Sequence, residues 1–171
     1  MTRFLAACAL IAGAVLLQLS WVPRLEFDGA YATVPLVLVV GLTWTRGFGS
    51  AVFLSLLAGV LLDFLHSEPL GLHSLALCAA CYAAALLQER YEPTPLLVVL
   101  AATLATIVYT LTLVALRAPA GPHIVAESLT GSLVAACVLN AALLLVTWKP
   151  LTLFARPPPV YEEVGRSFSG L

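Results

Sequence analysis

The chain has 171 residues and a net charge of −1, with 61% hydrophobic residues and only 10% charged ones. A soluble domain averages about 25% charged residues, so this chain has too few charges to cover a surface that faces water. Lys and Arg are scattered singly, which excludes a basic stripe for nucleic-acid binding. Together with a mean hydropathy of +1.03, this composition predicts an integral membrane protein.

Six apolar segments, separated by turn residues, are candidates for transmembrane helices, which need about 17–25 residues. The second is the least secure, because it is short and contains Pro35. The segments are residues 4–22, 31–45, 48–65, 70–88, 95–116 and 124–148. We therefore predict an all-α integral membrane protein. Its six-helix transmembrane bundle covers residues 1–150, and a flexible, proline-rich cytoplasmic tail covers residues 151–171.

The distribution of positive charge predicts the orientation of these helices. With a cytoplasmic N-terminus, only Arg24 and Arg117 of the eight Lys and Arg residues lie on the outer side. We therefore expect both termini in the cytoplasm. The connection between the third and fourth helices then lies on the outer face, as does the connection between the fifth and sixth.

Acidic and imidazole side chains gather on that outer face. They are Asp63, His66, Glu68, His73, His123 and Glu127. A carboxylate that faces the membrane interior costs several kcal/mol unless it is paired or hydrated. Asp63 should therefore face inward and pair with His73 or His66. The pair could form a recognition pocket or proton-sensitive site, or it could be a structural staple between two helices. For His66 and Glu68, the pattern favours solvated loop residues.

Small residues flank this polar stretch. Gly59 precedes it, and Gly71, which follows Pro69, is expected to permit a tight turn or a close backbone contact. Alanines then give the fourth helix a surface suited to close helix packing, either inside the bundle or against another chain. These alanines are Ala76, Ala79, Ala80, Ala83 and Ala84.

Motifs for catalysis or metal binding are weak. Cys78 and Cys81 form a single CxxC pair in mid-helix, without a second pair or histidines at ligand spacing, so we interpret them as structural thiols. No phosphate-binding loop, HExxH or GxSxG motif occurs. We predict no enzymatic activity, no cofactor and no metal site. Asn140, deep in the sixth helix, is expected to hydrogen-bond to another helix.

One stretch resembles a known family. Residues 59–63 read Gly-Val-Leu-Leu-Asp, and after a short polar turn residues 69–77 read Pro-Leu-Gly-Leu-His-Ser-Leu-Ala-Leu. This order is similar to the signature of the MreD family of rod shape-determining membrane proteins. The length, the number of apolar segments and the cytoplasmic N-terminus agree with that family. The resemblance implies a fold similar to the substrate-binding (S) subunits of energy-coupling-factor (ECF) transporters.

The resemblance also implies a non-enzymatic scaffold of the cell-elongation complex in the bacterial inner membrane. Its partner would be an MreC-like bitopic protein, with indirect connections to MreB and to the glycosyltransferase and class B penicillin-binding protein that build lateral peptidoglycan. An alternative is a substrate-binding membrane subunit of a vitamin or metal transporter. Whether the chain forms a homodimer stays open. The residues that we expect in the partner-binding or structural pocket are Gly59, Asp63, Pro69, Gly71, His73 and Glu127.

Overall fold

The computed structural model describes residues 2–20, 32–66, 69–91, 94–117 and 132–152. Nearly all of these residues are α-helical, which confirms the prediction of an all-α chain. The first five helices lie close to their predicted bounds, whereas the sixth extends past 148 and past the predicted bundle boundary at 150. In chain order the described helices are α1 (Thr2–Ser20), α2 (Val34–Arg46), α3 (Phe48–His66), α4 (Leu72–Gln88), α5 (Pro95–Arg117) and α6 (Ser132–Thr152).

Three of the described helical segments are long and apolar enough to cross a membrane, namely α3, α5 and residues Leu133–Thr152 of α6. The 23 residues of α5 span roughly 35 Å, compared with a hydrocarbon core of about 30 Å. Large apolar side chains point outward from α3 and α6, with Phe64 78% exposed and Val146 76% exposed. An outer surface of this kind suits lipid rather than water.

The short helix α2 lies in the centre of the bundle and contacts each of the other five described helices. Eleven of its 13 residues are buried. A helix that is apolar all round is expected to be enclosed on all sides. Its length of about 20 Å covers only part of the hydrocarbon thickness. Near its C-terminal end Trp44 packs edge-on against Trp148 of α6, with ring centroids 6.3 Å apart.

The small residues of α4 make contacts inside the bundle. Ala76, Ala80 and Ala84 have no exposed surface, and α4 packs against both α3 and α5. The two helices α3 and α4 approach closely at Gly59 of α3, where an added Cβ would overlap the backbone of Ser74. The alanine surface that the sequence predicted therefore serves internal packing, and glycine at position 59 is required by the contact between α3 and α4.

Many hydroxyl groups in the helices are satisfied within their own helix. Ser55 Oγ donates to the carbonyl of Ala51 (2.7 Å), and Thr112 Oγ1 donates to the carbonyl of Val108 (2.7 Å). Such bonds to the preceding turn remove the cost of burying a hydroxyl among apolar groups. The polar side chains whose partners lie on other segments therefore stand out, and most of them lie near one end of the bundle.

Candidate functional site: a polar cavity at one end of the bundle

The carboxylate of Asp63, near the C-terminal end of α3, has no exposed surface and accepts three hydrogen bonds. Its Oδ2 accepts from the Gly71 N–H (2.7 Å). Its Oδ1 accepts from the His73 N–H (2.8 Å) and from Nδ1 of the His73 ring (2.8 Å). The predicted pairing of Asp63 with His73 is confirmed. The two hydrogen bonds from backbone N–H groups to Asp63 were not predicted from the sequence.

These bonds make Asp63 the cap of a neighbouring helix. Gly71 is the N-cap residue of α4 and offers no side chain for capping. The first N–H groups of a helix have no partners inside it, and a negative charge at this end also interacts favourably with the helix dipole. Asp63 supplies both the acceptor and the charge from α3. The geometry therefore supports a structural role for Asp63, in which it fixes the start of α4 against α3.

Residues 69–71 form the tight turn before α4 that the sequence predicted. Gly71 has a φ of +103°, in the left-handed region that favours glycine. The carbonyl of Pro69 accepts a hydrogen bond from the Leu72 N–H (3.4 Å), and Pro69 itself is exposed. Pro69 therefore shapes the turn without lining a buried site.

His66 is not a partner of Asp63. Because a carbonyl only accepts hydrogen bonds, Nδ1 of His66 donates to the Leu62 carbonyl (2.9 Å). The ring of His66 stacks on that of His73, with centroids 5.6 Å apart and planes inclined by 21°. The ring of Tyr109 on α5 lies near the His73 ring, with the two centroids 6.4 Å apart. Two imidazoles and a phenol thus meet next to the Asp63 cluster.

A second cap, which the sequence analysis missed, lies at the start of α2. The Thr33 N–H donates to Oδ1 of Asn140 (2.7 Å), and the Val34 N–H donates to Oε1 of Gln18 (2.8 Å). Nδ2 of Asn140 donates to Oγ1 of Thr106 (3.1 Å), which confirms the predicted helix-to-helix bond of Asn140. The side chains of α1 and α6 thus supply acceptors for the first amides of the central helix.

The two capped helix starts border one small cavity of about 90 Å³. Residues from α1, α3, α4, α5 and the start of α2 form its wall. Arg117, the last residue of α5, contributes a permanent positive charge to this wall. The lining residues are Gln18, Thr33, Leu62, His66, His73, Tyr109, Leu113 and Arg117. We call this space the polar cavity.

Helix lengths give the depth of the polar cavity in the bundle. Asp63 and His73 lie fifteen residues from Phe48 and Gln88, the opposite ends of α3 and α4, which corresponds to about 22 Å. The hydrocarbon core of a membrane is about 30 Å thick. If Phe48 and Gln88 lie at one boundary of this core, the polar cavity lies within the hydrocarbon region, near the opposite boundary. Polar groups at such a depth are expensive and therefore mark candidate functional sites.

The structure brings only some of the predicted pocket residues together. Asp63, Gly71 and His73 form the hydrogen-bonded cluster, and Gly59 packs one turn below it. Glu127 lies outside the described residues, as do His123 and Glu68. The contribution of Glu127 to the pocket therefore stays a prediction.

The cysteines have ordinary surroundings. All four are free, and Sγ of the buried Cys81 lies 3.4 Å from Oγ1 of Thr43 on α2. Within the described residues, no three His, Cys, Asp or Glu side chains are grouped so that they could hold a metal ion.

A second concave surface, about 570 Å³ in volume, lies between α5 and α6. We call it the α5/α6 groove. Its wall is almost entirely apolar, and several of its side chains are well exposed, with Val138 63% exposed. The lining residues are Val99, Thr103, Ile107, Leu133, Val134, Cys137, Val138, Ala141, Ala142 and Leu145.

Apolar outer helices, a central buried helix and a polar cluster fixed by cross-helix caps define a helical membrane protein without a recognisable catalytic constellation among its described residues. The model of the MreD family, whose description reads rod shape-determining protein MreD, matches residues 1–157. The chain therefore belongs to the MreD family and has a role in rod shape determination. No curated protein and no solved structure matches it.

Proposed function

We propose that the chain is a non-enzymatic docking subunit of the bacterial cell-elongation complex, and that it binds an MreC-like protein with a single membrane helix. Membership of a shape-determining family supports this proposal. So does the presence of two distinct surfaces on one bundle, the apolar α5/α6 groove and the polar cavity. In this proposal the helical bundle, predicted as residues 1–150 and extending to Thr152 at the end of α6, is the docking unit, and the residues that follow form a cytoplasmic tail.

The α5/α6 groove is the surface that we assign to the partner's membrane helix. In lipid, helices associate through close packing of small residues, since burial of apolar surface alone gains little there. Thr103, Cys137, Ala141 and Ala142 are the small residues of this groove. Ala76, Ala80 and Ala84 of α4 are not available for docking, because they have no exposed surface.

The polar end of the bundle would contact the segment of the partner next to its membrane helix. The cluster of Asp63 and His73 is held by three hydrogen bonds, so this surface is preorganised. A preorganised surface favours one arrangement of the partner only when it binds that arrangement more tightly than the others. We propose that docking stabilises one conformation of the partner's extracytoplasmic domain and thereby supports lateral peptidoglycan synthesis.

The alternative function is a substrate-binding membrane subunit of a vitamin or metal transporter, and its vitamin-binding form has less support. Pockets for small-molecule ligands usually measure about 300–1,000 Å³. The polar cavity measures about 90 Å³. The α5/α6 groove is larger, but among its described lining residues the polar side chains are Thr103 and Cys137 alone, whereas a vitamin needs several placed polar contacts.

The proposed topology has six spans in the inner membrane, both termini in the cytoplasm and the polar cavity on the periplasmic side. An impermeant thiol reagent tests it in a cysteine-free background. Leu70→Cys, at an exposed site next to the polar cavity, should react from outside intact spheroplasts. Tyr91→Cys, at an exposed site beyond the opposite end of α4, should react only after lysis. The reverse pattern would contradict the proposed orientation.

The docking proposal is tested by a bulky substitution in the α5/α6 groove. Val138→Trp fills the groove and should weaken co-elution with an MreC-like partner in nanodiscs by tenfold or more, since about 1.4 kcal/mol corresponds to a factor of ten. The matched control is Val60→Trp, because Val60 is 47% exposed on α3 and lies outside the groove. Equal binding by the two variants would exclude the groove as the docking site. No binding by the unmodified chain would exclude the proposed function itself.

A further inference from the structure

Two polar side chains on the wall of the polar cavity keep hydrogen-bonding capacity beyond their described contacts. Oε1 of Gln18 accepts from the Val34 N–H (2.8 Å), which leaves the two N–H donors of its amide nitrogen. The backbone N–H of Thr33 donates to Asn140, and the Thr33 hydroxyl can both donate and accept. Among the described residues, neither this amide nitrogen nor this hydroxyl has a hydrogen-bond partner.

A third polar group on the same wall comes from α3. Nδ1 of His66 donates to the carbonyl of Leu62 (2.9 Å), so Nε2 is the remaining polar atom of the ring. It accepts a hydrogen bond when the ring is neutral and donates one when the ring is charged. Gln18 lies on α1, Thr33 is the N-cap residue of α2, and His66 ends α3. Three segments of the chain therefore place polar side chains around one space.

The surrounding membrane offers no partners for these groups. With Phe48 and Gln88 at one membrane boundary, the polar cavity lies within the hydrocarbon region. Lipid chains there have no hydrogen-bond donor or acceptor, so polar groups must be satisfied inside the protein. Cavities that stay dry in proteins are lined by apolar groups, whereas a polar cavity with enough room holds water.

We propose that the polar cavity holds a small cluster of water molecules inside the bundle. Its volume of about 90 Å³ corresponds to roughly three molecules, since each occupies about 30 Å³ in the liquid. A buried water molecule makes about two to four hydrogen bonds, and the wall supplies an amide, a hydroxyl and an imidazole. Water suits this wall whatever its net charge, because each molecule both donates and accepts hydrogen bonds.

The cluster would bridge α1, the start of α2 and the end of α3 beside the two capped helix starts. His73, Tyr109 and Arg117 also line the cavity, but the cluster does not depend on them, since each has further interactions of its own. A water cluster of this kind belongs to the isolated chain and does not require a docked partner, so it goes beyond the proposed function.

NMR of the side-chain amides, with the full-length chain in nanodiscs, tests for this water. The chain has two glutamines, Gln18 and Gln88, and one asparagine, Asn140. Labelling with ¹⁵N-glutamine and ¹⁵N-asparagine therefore gives three side-chain amides, and a Gln88→Ala variant assigns the two glutamines. Magnetisation transferred from water should reach the amide protons of Gln18, although this side chain is 6% exposed.

The other two amides are internal controls. Gln88, half-buried at the far end of α4, should also receive magnetisation from water, because it lies at the membrane boundary. Asn140 is 1% exposed and is bonded to Thr33 and Thr106, so it should receive little. Absence of transfer to Gln18 would overturn the proposal. Equal transfer to Gln18 and Asn140 would also overturn it, because water would then penetrate the bundle generally.

Two substitutions connect the signal to the cavity itself. Leu113→Trp enlarges a lining side chain and should abolish the transfer from water to Gln18, whereas Leu111→Trp, at a 50% exposed site on the same helix, should leave it unchanged. Thr33→Val keeps the size of the side chain without the hydroxyl and should reduce the transfer, which keeps the test valid if Leu113→Trp fails to fold. Unchanged transfer in both Leu113→Trp and Thr33→Val would overturn the proposal.

Discussion

Replacement of Asp63 by alanine should strongly destabilise the chain. Asp63 has no exposed surface and accepts hydrogen bonds from two backbone N–H groups and one imidazole. Alanine leaves these three donors without an acceptor in a buried place. One buried donor without a partner costs about 1–3 kcal/mol, and more where the lost partner was charged. Since the three donors act as one network, we expect a loss of about 3–5 kcal/mol rather than their sum.

Asp63→Asn should be milder. The amide oxygen can take the position of Oδ1 and keep both bonds to His73, while the NH₂ group then faces the Gly71 N–H, another donor. Only one of the three bonds is lost, so the expected cost is about 1–2 kcal/mol. The assay is reversible unfolding in detergent micelles, followed by circular dichroism.

The matched control is Ser55→Ala on the same helix. Ser55 is equally buried, but its hydroxyl donates to a carbonyl of its own helix, Ala51, so its removal should cost less than about 1 kcal/mol. The reasoning would be refuted if Asp63→Ala were as stable as the unmodified chain. If Asp63→Asn were as damaging as Asp63→Ala, the negative charge rather than the hydrogen-bond geometry would be the stabilising factor.

Three further substitutions probe the packing and the second cap in the same unfolding assay. Gly59→Ala should cost about 1–3 kcal/mol because its Cβ would overlap the Ser74 backbone, whereas Gly13→Ala, with open space around it, should be neutral or stabilising; equal effects would contradict the close contact. Gly71→Ala should cost about 1–3 kcal/mol, since its φ of +103° strains other residues; an unchanged midpoint would exclude that strain. Asn140→Ala should cost about 1–2 kcal/mol through the lost cap on Thr33; an unchanged unfolding midpoint would refute the capping role.

The sequence predicted the helices and the Asp63 pair because both follow from the cost of polar groups in lipid. Hydropathy marks an apolar run whichever way its residues face, and a buried carboxylate needs a partner. The central position of α2 could not be predicted from hydropathy. Inside a membrane, a helix that contacts protein and a helix that contacts lipid are both apolar, so composition did not distinguish α2 from a lipid-facing span.

The cap formed by Gln18 and Asn140 could not be predicted for a different reason. Its partners are backbone N–H groups of Thr33 and Val34, and every residue except proline has such a group. A glutamine near the end of an apolar run also fits a simple interfacial position. The only available signal was the presence of two amide side chains in apolar helices, and Asn140 alone was predicted to bond across helices.

Asn140 connects the two surfaces on which the proposed function depends. Its amide nitrogen donates to Thr106 of α5, and its neighbour in sequence, Ala141, lines the α5/α6 groove. Its oxygen accepts from Thr33, which lines the polar cavity. One buried side chain thus ties α5 to α6 beneath the groove and caps the central helix beside the cavity.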